Sequence, residues 1–165
     1  GYAIAVVLGL VLALAQRTPY RPLTMIMREA VEFIRSTPLV LQIFFVFYVG
    51  PQFGIRLSPW TAGMIAIGLH YAAYLSEVYR GGLESVPKGQ WEAATSLNMT
   101  MSHTYFRIII PQALPPSLAG MGNYLVGIFK DTPMLSVIGV AELMHTANAI
   151  GSESCLLYTS DAADE

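Results

Sequence analysis

A chain of 165 residues that is 54% hydrophobic and only 12% charged, with a mean hydropathy of +0.51, is too apolar for an ordinary soluble domain. A polytopic membrane protein is the natural class, and for that class the net charge of −2 excludes little, because the placement of charges matters more than their sum. One cysteine, Cys155, excludes an internal disulfide and any cysteine-based metal site.

Residues 1–15 carry no charge and fall slightly short of the roughly 20 residues that span a bilayer, so they read as the inner part of a truncated first transmembrane helix. Leu12, Ala13, Leu14, Ala15 and Gln16 also resemble a signal-peptidase site. The helix is preferred because no basic region precedes the run and later stretches are as apolar. In residues 16–37, Arg28 and Glu32 stand four apart and Glu32 and Arg35 three apart, which predicts an interfacial surface helix with internal ion pairs. Thr37 and Pro38 then open an apolar run over 39–49, in which Gln42 is expected to bond to a neighbouring helix.

After turn chemistry at 50–54, Trp60 anchors a span that reaches Tyr79, about 30 Å of helix. Gly63, Gly68, Ala72 and Ala73 offer the small surfaces on which membrane helices pack. His70, Tyr74 and Glu77 share one face. Either that face lines a polar pathway, or His70 and Tyr74 bond across a helix interface while Glu77 pairs with Arg80 at the headgroups.

The polar stretch 85–111 predicts a short helix, a sharp turn and a second helix. Pro87 suits a first helical turn, and Glu92 falls early in that helix, where the dipole favours negative charge. Ala93 and Ala94 leave the backbone approachable. Asn98 tolerates the left-handed conformation that ends a helix, and Thr100 or Ser102 can cap the next one. Beyond it, Pro111 bends or starts a membrane helix, Pro115 and Pro116 fix its beginning, and the span covers about 117–129. Gly120, Asn123 and Gly127 share a face that reads first as packing surface. Lys130, Asp131 and Thr132 end this span, Pro133 interrupts it, and 134–150 forms another apolar segment with Glu142, His145 and Asn148 on a loose polar face. Residues 154–165 turn acidic and read as a non-native tail of the kind that translated adapter sequence leaves.

Charge placement sets an orientation. Arg17, Arg21, Arg28 and Arg35 precede the second span, and Arg80, Lys88 and Arg107 follow the third, so both clusters fall on one side. The positive-inside rule makes that side cytoplasmic.

Gly89, Gln90, Trp91, Glu92, Ala93 and Ala94, then Leu97, Asn98 and Met99, then Ile110, Pro111, Gln112 and Ala113, resemble the EAA loop of ABC-importer permeases of the polar amino acid branch. The stretches 33–39, 73–82 and 129–143 resemble the same family. Departures occur at Asn98 and Ser36, where Gly is usual, and at Pro133 and Met134, which replace Ser-Leu. The resemblance covers about 1–153 and implies an all-α polytopic transmembrane bundle of the type I importer permease fold, truncated at both ends.

It further implies a permease subunit in a bacterial inner membrane, working by alternating access. Its partners would be a cytoplasmic ABC ATPase that binds the ATP, an extracytoplasmic solute-binding protein, a second permease subunit and membrane lipid. Gly89, Gln90, Glu92, Ala93, Ala94, Leu97 and Asn98 would couple to the ATPase, and His70, Asn123 and Thr132 are candidates for the substrate pathway. Residues 48–55, the Asn98 turn and residues 130–134 look most like permeases for ectoine and hydroxyectoine.

No Walker-type phosphate loop, Gly-x-Ser-x-Gly elbow or His-Glu-x-x-His helix is present, so no catalytic residues, resident cofactor or metal are expected. Basic residues do not interleave with aromatics in a way that suggests nucleic acid. A membrane-embedded enzyme and a passive channel or assembly subunit remain the competing classes.

Overall fold

The computed structural model describes residues 1–140 and 150–152, and every regular element among them is helical. The expected polar face of Glu142, His145 and Asn148, and the acidic tail, lie outside the described residues. The elements are α1 (Tyr2–Ala15), α2 (Arg21–Ser36), α3 (Leu39–Phe44), α4 (Pro59–Glu84), α5 (Lys88–Ser96), α6 (Met101–Thr104) and α7 (Ile110–Asp131). A 3-10 turn over Thr132–Ile138 follows α7.

α4 is the centre of the bundle, with α1, α2, α3 and α7 all packed on it. Ser58 caps its N-terminus by accepting from the Thr61 N–H, and Pro59 occupies the first position, where its missing donor costs nothing. At 26 residues it is about 39 Å long. α1 approaches α4 through a stripe of small residues, Ala5, Gly9 and Ala13, all buried, while its large residues turn outward: Val7 is 63% exposed and Leu14 60%. Most of the large apolar side chains of α1 thus face away from the core, the reverse of a soluble bundle, where a stripe of Val and Leu turns inward.

Tyrosines tie the same helices through backbone carbonyls. Tyr2 Oη donates to Met121 O at 3.0 Å, and Tyr79 Oη to Val6 O at 3.3 Å.

Thr37 precedes Pro38 and is held extended, at φ −92° and ψ 131°, so the chain turns by 104° between α2 and the α3 segment. Gln42 Nε2 donates to Ile34 O and Thr37 O, closing orphan carbonyls at the end of α2, which is the neighbouring-helix role expected of it. The ion pairs expected inside α2 do not occur among the described residues; Arg35 reaches instead to Glu77 on α4. Sequence spacing proposes neighbours on one helix, but the carboxylate on the facing helix is a partner it cannot see.

Two π-helical turns interrupt the bundle, Phe45–Val49 after α3 and Tyr105–Ile109 after α6. Each ends two residues before a proline, Pro51 and Pro111. A proline ring collides with the carbonyl four residues back in an α-helix, and widening that turn relieves the collision. Contrary to expectation, Pro115 and Pro116 do not start a new span: α7 runs through both.

Among the described residues no single helix is long and apolar enough to cross a membrane; the bent pair of α2 with Leu39–Phe53 meets that measure together. The expected 60–79 span is present as helix, but His70, its tyrosines and its small residues dilute its hydropathy.

A Cβ added at Gly9 would lie 2.9 Å from Leu75 Cβ and 3.0 Å from the Ala72 carbonyl oxygen, atoms that cannot rotate away. At Gly63 it would meet only the branched end of the Leu135 side chain, Cδ2 at 2.7 Å and Cδ1 at 3.3 Å. Gly9→Ala is therefore expected to cost about 1–3 kcal/mol by forcing α1 off α4, and Gly63→Ala clearly less because Leu135 can change rotamer. Thermal unfolding of the two variants in detergent checks the order.

Candidate functional site

α5 sits on the bundle through a small apolar cluster of its own. Val86, Ile109 and Ala113 are its buried members, and Leu83, Trp91, Tyr105 and Ile108 surround them. Trp91 meets Tyr105 edge-on, with ring centroids 5.2 Å apart. Gln112 Nε2 donates to Gln90 Oε1 at 3.2 Å, a second tie between α5 and α7.

This mounting leaves Gly89, Gln90, Glu92 and Ala93 exposed, and Leu97 stands 74% exposed at the C-terminal end. Ala94 is turned inward, 1% exposed, so it seats the helix and offers no surface to a partner. Pro87 is the residue before the first turn rather than within it, and Glu92 is mid-helix, so the dipole favours it less than the sequence suggested. Asn98 takes the left-handed conformation, φ +51°, while the Met99 N–H returns to Ala94 O at 3.1 Å. Thr100 then caps α6 by accepting from the His103 N–H at 3.4 Å.

A second feature is a cleft of ≈ 560 Å³ between α4 and α7. It brings together His70 and Asn123, two of the candidate pathway residues. Thr132 does not line it; its hydroxyl donates to Phe129 O at 2.8 Å and closes the last turn of α7. The opposite charges of Lys130 and Asp131 lie at one end, and Tyr71 Oη donates to Asp131 Oδ2 at 2.6 Å.

Tyr74 and Tyr124 form an aromatic wall, centroids 5.3 Å apart, and His70 is 5.1 Å from Tyr74. His70 is 8% exposed, and its Nδ1 has no hydrogen-bond partner among the described residues. An unpaired buried imidazole nitrogen is costly unless something binds it. Sequence reading singled out neither Tyr71 nor Tyr124 as a site residue, although the period of α4 puts Tyr71 beside the His70 face. Gly120 and Gly127 act as the packing surface expected of them: a Cβ at Gly120 would meet Val78, and one at Gly127 would meet Tyr71 Oη.

Glu77 lies past the cleft and joins the far end of α4 to α2. It accepts from Arg80 Nη2 at 2.6 Å, the pairing expected at a headgroup boundary, and lies 3.8 Å from Arg35 Nη1. Arg80 also bonds Glu84 at 2.8 Å. The Glu77 carboxylate, and then that of Glu84, push the already high pKa of Arg80 further up, so the guanidinium stays charged. Arg28 and Arg35 of α2 and Arg80 of α4 thus line one pocket with Glu77.

Residues 5–154 match the family described as the inner membrane component of binding-protein-dependent transport systems. The chain belongs to that family. It is 43% identical over 154 residues to a probable amino-acid ABC transporter permease, y4tG, of Sinorhizobium fredii, covering 93% of this chain and 67% of the relative. It is 40% identical to the L-cystine transport system permease TcyB of Bacillus subtilis, covering 93% and 65%. A solved chain described as an amino acid ABC transporter with histidines superposes with a TM-score of 0.85 at 36% identity, covering 92% of this chain and 71% of that one. This inner membrane component therefore spans about two thirds of the length of the curated relatives it matches.

Asn98→Gly is expected to leave stability unchanged or slightly raised, whereas Asn98→Val should lose about 1–2 kcal/mol, since a β-branched residue resists positive φ. Tyr71→Phe strips Asp131 of its hydroxyl donor and should cost about 1–3 kcal/mol. Denaturation midpoints in detergent measure both.

Proposed function

We propose that this inner membrane component is a permease subunit of an ATP-driven importer of amino acids or related compatible solutes in a bacterial inner membrane. It pairs with a second permease subunit and receives solute from an extracytoplasmic binding protein. α5 docks on the cytoplasmic ATPase through Gly89, Gln90, Glu92, Ala93 and Leu97, with Ala94 and Asn98 fixing its seat and its turn. The observation that carries this reading is the exposed, separately mounted α5, ended by a left-handed Asn98 and presenting a Leu97 that is 74% exposed among the described residues. Such a surface suits a partner's groove.

The α4–α7 cleft is the proposed solute pathway. A cation and an anion on one wall, a buried imidazole nitrogen in need of a partner, Asn123 and a cluster of tyrosines favour a compact zwitterion. Thr132 supports the cleft by fixing the end of α7. Relatives named for cystine and glutamine transport support the amino-acid class. The resemblance of residues 48–55, Asn98 and 130–134 to ectoine and hydroxyectoine permeases favours those solutes within the wider class.

Vesicle uptake by the full-length permease with its ATPase and binding protein tests this. Glu92→Lys is expected to lower uptake and ATPase retention at least roughly tenfold, as a reversed charge in a desolvated contact does. Unlabelled ectoine should compete better than glutamine or cystine. Unchanged uptake and ATPase retention would remove the docking role, and preferential competition by glutamine would replace the solute.

A further inference from the structure

The aromatic wall of the cleft is also the wall of a second cavity. Tyr74 also lines a pocket of ≈ 230 Å³, with Glu32, Arg35 and Ser36 from the end of α2. One residue is thus common to the α4–α7 cleft and to a pocket at the end of α2.

Arg35 holds that ring from several directions. Its backbone carbonyl accepts from Tyr74 Oη at 3.1 Å, and its guanidinium carbon lies 5.3 Å from the ring centroid. The same guanidinium reaches Glu77 Oε2 at 3.8 Å, whereas Arg80 holds that same oxygen at 2.6 Å. Arg80 is thus the primary partner of Glu77, and Arg35 is the one that can be released. A half-exposed cation–π contact and a long ion pair are weak interactions, of the size that a change in helix position reverses. Thr37 and Pro38, where α2 turns by 104° into α3, begin two residues after Arg35, so a small movement of α2 would displace Arg35 without repacking the core of α4.

We propose that Arg35 is a positioning residue that latches Tyr74 across the passage between the cleft and the α2-side pocket. While the latch holds, the cleft is closed toward the basic end of the bundle; when α2 moves, the ring is freed and that end opens. The proposal rests on the pathway reading of the cleft, but its test does not depend on which solute is carried or on uptake.

The full-length permease, with its native cysteines replaced by serine, carries Asn123→Cys as a reporter in the cleft. Labelling by a membrane-impermeant maleimide is timed from each side, in inverted and in right-side-out vesicles. Arg35→Gln removes the cation and keeps the carbonyl; Tyr74→Phe keeps the ring and removes the hydroxyl. Either change should speed labelling from the basic side roughly fivefold, the factor set by losing one weak contact, and leave the opposite side unchanged. Arg35→Lys should restore part of the protection. Unchanged labelling in both variants overturns the latch, and so does an equal rise from both sides, which marks general loosening of the fold. If Glu92→Lys leaves uptake intact while Arg35→Gln still alters labelling on one side only, the docking role falls and the latch stands.

Discussion

The bundle depends on how closely α1 lies against α4. Gly9 lets the two backbones come together at Ala72, and Ala5 and Ala13 extend the contact a turn in each direction. Where lipid is as apolar as leucine, burying a large side chain gains little, and close van der Waals contact between small residues does the joining. That one constraint explains why the large residues of α1 point outward. It also leaves α4 free to carry tyrosines and a histidine on its opposite face, toward α7.

α4 consequently performs two tasks along its length. Near its middle, His70, Tyr71 and Tyr74 furnish one wall of the cleft, and at its far end Glu77, Arg80 and Glu84 form an ionic cluster that leads directly into α5. α5 owes its position to a separate group of apolar side chains and shares no residue with the main core. A surface helix mounted in this way can be pushed as a unit.

Much of this was legible locally. Asn98 as a left-handed stop, Thr100 as a cap, Gln42 as a helix-to-helix bond and the Gly120–Gly127 face as packing all follow from the chemistry of single residues or short spacings. The misreadings share a different cause. Arg35 left its neighbours on α2 for a carboxylate 42 positions later, and Ala94 was drawn inward by α5's own mounting. The tyrosines of the cleft came together only because α4 and α7 cross there. Pro115 and Pro116 misled for another reason: a helix already held by its neighbours can absorb rings that would break an isolated one.

The π-turn at Tyr105–Ile109 has a mechanical meaning. It lies between the seat of α5 and the long shaft of α7, and losing its extra residue would rotate everything beyond it by about 100°. Pro111 stands against that change, since its ring opposes the Arg107 carbonyl in a tighter winding. The register is thereby locked. If α5 docks as proposed, a force applied there would swing α7 bodily, like a lever on a fixed axle, and would not be lost in twisting the shaft.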